Sequence, residues 1–193
     1  MGEGDAPRTA VETLNTASFQ SHCRPNSITM KKELKELIAE LTAALPQEAK
    51  KNILPPVSAT ELLAIEKFLD EVGPWSKLHE DLVELYQLVG GEKGSRPFLL
   101  GSIRLLPPSE SNRLYHELIL LKQEHRSEIE EEFPDCWFDE RMYPFAQQGS
   151  SSICIDLDSG TIRSFDPDGG IYGEISCLTI FLEQINDQGI AKF

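Results

Sequence analysis

The sequence predicts an α+β domain: an antiparallel sheet of about four to six strands with helices packed on one face. Three observations predict it. Apolar residues recur at spacings of three and four through much of the first two-thirds of the chain, as helices that bury one stripe require. After Phe133-Pro134 the period falls to two, with turn residues between short apolar runs. A last segment returns to the helical period, and consecutive hairpins bracketed by helices are the order of elements in such a domain.

Each element follows in order. Residues 1–29 are rich in Gly, Ala, Thr, Ser and Asn without an apolar period, and read as a flexible leader; Met30, directly before a strong helical pattern, is a candidate native start. Residues 30–54 read as an N-terminal amphipathic helix and linker, and 55–193 as the main domain. In 31–45 the stripe is Leu34, Leu37, Ile38, Leu41 and Leu45, and Pro46 ends it. That stripe needs cover, from the domain's core or from a second copy. Beyond Pro55-Pro56, Ser58-Ala59-Thr60-Glu61 reads as a capping box, in which a hydroxyl and a carboxylate satisfy free N–H groups at a helix start. Leu62, Leu63, Ile65, Leu69 and Val72 are its expected buried face, and Gly73-Pro74 closes it.

The next helix is expected from about Ser76, with Leu78, Leu82, Leu85, Tyr86 and Val89 facing in and Gly90-Gly91 as its C-terminal cap. Residues 92–97 read as a polar loop and FLLGSIRLLP as one or two short strands. Ser109 to about Glu132 is a long helix carrying Leu114, Leu118 and Leu121. MYPFAQQ, SSICIDL, TIRSF and GIYGEI are four strands, joined by turns at Asp158-Ser159-Gly160 and at 166–170. Ile153, Ile155 and Leu157 alternate with Cys154 and Asp156, giving one apolar and one mixed face. Ser176 is the expected cap of a final helix, in which Leu178, Phe181, Leu182 and Ile185 face in.

Charge is distributed unevenly. The chain carries 18 Lys+Arg against 32 Asp+Glu, a formal charge of −14. Residues 1–57 hold seven acids and seven bases, so the whole imbalance lies in 58–193, with 25 acids and 11 bases. Such a balance opposes binding to nucleic acid or an anionic membrane, both polyanions. No apolar run approaches the roughly 18–20 residues that span a bilayer. Cys23, Cys136, Cys154 and Cys177 form no CxxC pair and follow no secretory signal, so they read as free thiols in a reducing cytoplasm.

Little in the sequence points to catalysis. It lacks HExxH, GxSxG and phosphate-loop patterns. Gly149-Ser150-Ser151-Ser152 leads into a strand, whereas a nucleophile elbow leads out of one. Asp156, Asp158, Asp166 and Asp168 invite a calcium reading, but the spacing lacks the glycine at loop position six and the glutamate at twelve. The histidines, His22, His79, His116 and His125, share no metal-binding spacing. No catalytic residue, metal or cofactor is therefore assigned. A small hydrolase using Cys136 or Ser151 is the weakest alternative. The sharpest signal is SEIEEEFPDCWFDE, where Glu128, Glu130, Glu131, Glu132, Asp135, Asp139 and Glu140 interleave with Phe133, Trp137 and Phe138. It is either a solvated helix end or a docking surface, the carboxylates steering and the aromatics anchoring a basic protein.

Taken together, PPVSATELLAIEKFL, LHEDLVELYQLVGG, FLLGSIRLLPPSE, the WFDERMYPFAQQGSSSICIDLDSG hairpin and ISCLTIFLEQI resemble the SUKH superfamily over roughly residues 55–186. That group includes Smi/Knr cell-wall-assembly regulators and bacterial toxin-immunity proteins. The positions matching its motifs are Leu85-Tyr86, Gly90, Gly91, Leu105, Pro107, Trp137, Pro144, Gly149, Asp156, Ser176, Phe181 and Leu182. The run of serines after Gly149 and the Cys177-Leu178 pair depart from the family's usual residues. The resemblance implies a cytoplasmic, non-catalytic binding module, monomer or homodimer, most simply an immunity protein that plugs the basic cleft of a nuclease toxin. The alternative it implies is an intracellular scaffold or regulator recruiting several cellular proteins.

Overall fold

The computed structural model describes residues 33–125 and 137–187. Helix α1 (Leu34–Ala44) buries Leu34, Leu37, Ile38 and Leu41, the stripe its spacing predicts. It lies against two later helices, over 80–88 and 178–187, so the stripe is covered by the domain's own core. A single turn, α2 (Gln47–Lys50), follows. Helix α3 (Ala59–Val72) opens with the predicted capping box: Ser58 N–H donates to Glu61 Oε2 at 2.8 Å, and Glu61 N–H to Ser58 Oγ at 3.3 Å. The Ser58 hydroxyl, and then its N–H, hold the Glu61 carboxyl below the usual range. Ser58→Ala is expected to cost about 1 kcal/mol by urea unfolding at neutral pH. Because the folded value is lowered, the glutamate's share is present at neutral pH and lost as pH falls through that value. The gap between wild type and variant should therefore narrow in acid.

The buried stripe of α3 is Leu62, Ile65 and Leu69, while Leu63 is 64% exposed. Leu63 lies about 100–160° round the helix from Leu62, Ile65 and Leu69, outside the stripe that those three form. Helix α4 (Glu80–Leu88) starts later than expected, capped by His79, whose Nδ1 accepts Asp81 N–H at 3.3 Å. An imidazole nitrogen serves here where Ser, Thr, Asp or Asn is usual. Helix α5 (Pro108–Glu124) turns Ser111, Tyr115, Leu118 and Ile119 inward, a face rotated from the Leu114–Leu118–Leu121 stripe. The expected continuation toward Glu132 lies outside the described residues.

Among the described residues, five strands form one antiparallel sheet in sequence order: β1 (Arg104–Leu105), β2 (Met142–Gln148), β3 (Ser151–Asp156), β4 (Ile162–Asp166) and β5 (Gly170–Ile175). The α+β class and its single antiparallel sheet are as predicted. FLLGSIRLLP yields only the two-residue β1 and a bridge from Leu100 to Ile103. Met142–Ala146 and Ser152–Asp156 are buried at every position, so both faces of the sheet centre are covered, including the mixed face of β3. On β5 the register shifts opposite Arg163 and Ser164, and Gly173 takes φ +66°.

Helix α6 (Leu178–Asp187) buries Leu178, Phe181 and Leu182. Cys177, rather than Ser176, stands at its entry, its carbonyl accepting Phe181 N–H at 3.2 Å. Rings tie the layers together. Tyr115 of α5 meets Phe68, Phe138 and Tyr143, and Phe145 of β2 meets Phe181 of α6.

Candidate functional site

Three features stand out from the core. The first is the acidic stretch. Of its predicted contact residues, Glu128, Glu130, Glu131, Glu132 and Asp135 lie outside the described residues, as do Phe133 and Cys136. The others are held by the fold. Trp137 packs edge-on against Phe165 at 5.4 Å, and Phe138, 1% exposed, lies between Phe165 and Tyr115. These two rings are therefore part of the core and not free anchors. Asp139 is gripped by Arg141, whose side chain holds the carboxyl below its ordinary value, and Glu140 lies 3.4 Å from Lys122. Over 137–140 the two rings thus pack on the core, while the two acids that follow are half-buried and paired with cations.

The second feature is a cleft of about 400 Å³ between the entry segment of α3 and the start of α5. Pro55, Pro56, Pro107 and Pro108 wall it, with Ile65 and Ala64 of α3 and Asn112 of α5 beside them. The segment before α3 is fixed by Val57 N–H on the Tyr86 carbonyl at 2.8 Å and Leu54 N–H on that of Gly91 at 2.8 Å. Beneath it runs a line of buried hydroxyls. Tyr86 Oη and Ser111 Oγ share a hydrogen bond of 3.0 Å, and the Tyr143 hydroxyl donates to Asn112 Oδ1 at 2.7 Å. Burial pushes the Tyr86 and Tyr143 hydroxyls above the ordinary tyrosine value, so both stay protonated as donors.

The third feature was not visible beforehand. Glu92, in the segment read as a polar loop, is fully buried. Its Oε1 accepts N–H of Phe98 at 2.6 Å and of Leu99 at 2.8 Å, and its Oε2 accepts Leu105 N–H at 2.7 Å. Burial pushes its carboxyl up from the ordinary glutamate value, opposed by the three N–H groups and by Arg104. Arg104 itself grips both oxygens of Glu110 at 2.6 Å. The only sequence signal was an acid at the head of a loop, which is where solvated acids also occur.

The remaining singled-out residues have structural duties. Asp156 is 4% exposed, and its Oδ1 accepts N–H of Asp158 and Ser159, shaping the β3–β4 turn. Asp166 Oδ1 accepts Asp168 N–H at 3.0 Å in the β4–β5 turn, and that bond leads in holding its carboxyl low. Of the four aspartates weighed for calcium, Asp156 and Asp166 are thus occupied by turn backbone, and among the described residues no group of three or more His, Cys, Asp or Glu could hold a metal ion. Ser151 Oγ donates to Asp166 Oδ2 at 3.1 Å and receives the Tyr172 hydroxyl, so its neighbours are a carboxylate and a phenol. Cys154 is buried and its thiol pushed up by desolvation, which keeps it protonated. His116 packs edge-on against Phe68, and the His79 ring lies on Gly160. Gly149 takes φ +62° in the two-residue β2–β3 turn.

The fold and these features define an α+β domain whose outer surface is dominated by carboxylates. Lys67, Arg104, Arg113, Lys122, Arg141 and Arg163 each lie within ion-pair reach of an acid, so the excess acids stand largely uncompensated. Helix α4 carries Glu80, Asp81 and Glu84 and no base. Among the described residues, no helix is long and apolar enough to cross a membrane. The chain matches no family model and no curated protein.

Proposed function

We propose that this chain is a non-catalytic protein-binding module of the SUKH type, an immunity protein that neutralises a basic toxin, such as a nuclease, through its acidic surface. The observation that carries the reading is the confinement of the whole −14 charge to residues 58–193, where most described cations are already paired. A nuclease cleft holds phosphates and is therefore basic, so an anionic surface competes for the same ground. Complementary charge raises association rates by roughly 10–10³-fold and fixes register. The motif positions Tyr86, Gly90, Gly91, Trp137, Gly149, Asp156 and Phe181 fit a scaffold role, since each shapes a turn, a close approach or the core. The contact surface is then left to outward carboxylates.

The test is a search of the neighbouring genes for a toxin-like product and co-expression with it, followed by stopped-flow association of the purified pair. Growth rescue and a tight complex are expected. Reversing Glu130, Glu131 and Glu132 together should slow association about tenfold at low salt, with the difference shrinking as salt is added. Reversal of Glu80 and Glu84 on α4 identifies which acidic face docks. No complex with the adjacent product, or rates indifferent to both sets of reversals, would overturn the reading.

A further inference from the structure

The cations of this domain are not all treated alike. Between residues 58 and 187, most described Lys and Arg side chains lie within 4.0 Å of a carboxylate, and Lys93, Arg96 and Lys77 do not. Two of these three stand three residues apart on one short loop, Lys93-Gly94-Ser95-Arg96, and all four of its residues are exposed. In residues 58–193, with 25 acids to 11 bases, cations near one another and outside ion-pair reach of an acid are the exception.

The loop is also anchored at its base. Its entry is fixed by Lys93 N–H on the Asn52 carbonyl at 2.7 Å and Glu92 N–H on that of Leu105 at 3.0 Å. Its exit is fixed by Phe98 and Leu99 N–H on the Glu92 carboxylate. Gly94 takes φ +74°, and a side chain there would meet nothing within 4 Å. The backbone bends at that point without any packing demand from the core. Taking a carboxylate out of water is costly, and here it fixes a loop whose exposed tip carries two cations. A loop fixed in advance loses less entropy when a partner docks on it.

We infer that loop 93–97 is a docking point for carboxylates of a protein partner, a cationic contact set within an otherwise acidic surface. Two cations three residues apart match a pair of acidic side chains on the partner. They are too few to follow a phosphodiester backbone against the repulsion of the surrounding acids. Such a reversed-sign contact lets an acidic surface accept a partner in one orientation and not in its inverse. The inference does not rest on the toxin reading, since the loop can bind acids whatever the acidic face does.

The test is a titration of the isotope-labelled full chain with an acetylated tetraglutamate peptide, followed by amide chemical shifts at low ionic strength. Shifts at residues 93–98 that saturate in the millimolar range are expected, with loss of at least fivefold in affinity in the Lys93→Glu, Arg96→Glu double variant. A parallel arm uses a short single-stranded oligonucleotide. Absence of loop shifts with the peptide, equal shifts in the double variant, or tighter loop binding of the oligonucleotide would each overturn the inference. The toxin experiment above is unaffected by any of these results, so the two readings fail separately.

Discussion

Replacing Glu92 by glutamine will lower the stability of the domain by about 3 kcal/mol, read from urea unfolding. The carboxylate has two oxygens and accepts three backbone N–H groups in full burial. Glutamine turns one oxygen into a donor, which then faces a donor. Either the Leu105 N–H or the Phe98 and Leu99 pair is left buried without an acceptor. Hydrogen exchange should locate the damage, with the amides of Phe98, Leu99 and Leu105 losing protection first. A loss under about 1 kcal/mol would mean that these groups find other acceptors and that the carboxylate is not what fixes the loop.

Alanine at Gly90 or Gly91 is expected to cost about 2–4 kcal/mol each, by thermal or denaturant unfolding. A Cβ on Gly90 would strike the Pro55 carbonyl oxygen, which is backbone and has little room to retreat. At Gly91 the φ of +103° is already unfavourable for any other residue, and a Cβ would sit 2.6 Å from Pro107 N. Two chain segments, 54–55 and 106–107, close on this dipeptide, held by Leu54 N–H on the Gly91 carbonyl and Gly90 N–H on that of Leu54. Gly94→Ala is the control. It shares the positive φ but meets no neighbour, so it should cost only about 1 kcal/mol. Equal losses at Gly91 and Gly94 would show that conformation alone, and not crowding, accounts for the effect at Gly91, while Gly90, without a positive φ, reads crowding by itself.

These two predictions also mark where the sequence stopped being readable. Helices α1, α3 and α6 were legible because Leu and Ile at spacings of three and four have one sensible disposition. The Ser58–Glu61 box was legible because both partners of a local interaction lie three residues apart. Strands β2 to β5 were legible through their turns. Gly90-Gly91 was misread as a helix cap, since two glycines after a helix fit equally well a left-handed cap and a close backbone crossing. Val89 leaves the helix in extended conformation, which settles it as a crossing. Glu92 was opaque for a different reason. Its partners are backbone amides up to 13 residues away, and no side-chain pattern records them. Trp137 and Phe138 were read as anchors because their acidic neighbours dominated the composition, whereas the rings they pack on, Phe165 and Tyr115, lie more than 20 residues away in the chain.

The last strand of the sheet has one further implication. Among the described residues no strand pairs beyond β5, and its outer border is interrupted where Gly173 turns the backbone against the pleat and Glu174 carries a charge. An incoming strand would find its ladder of amides out of step at mid-length and would have to bury a carboxylate beside it. Growth of the sheet from one molecule into the next is thereby discouraged at the open end of the fold. Gly173→Val combined with Glu174→Thr is the change expected to invite such growth, read as a rise in light scattering with concentration.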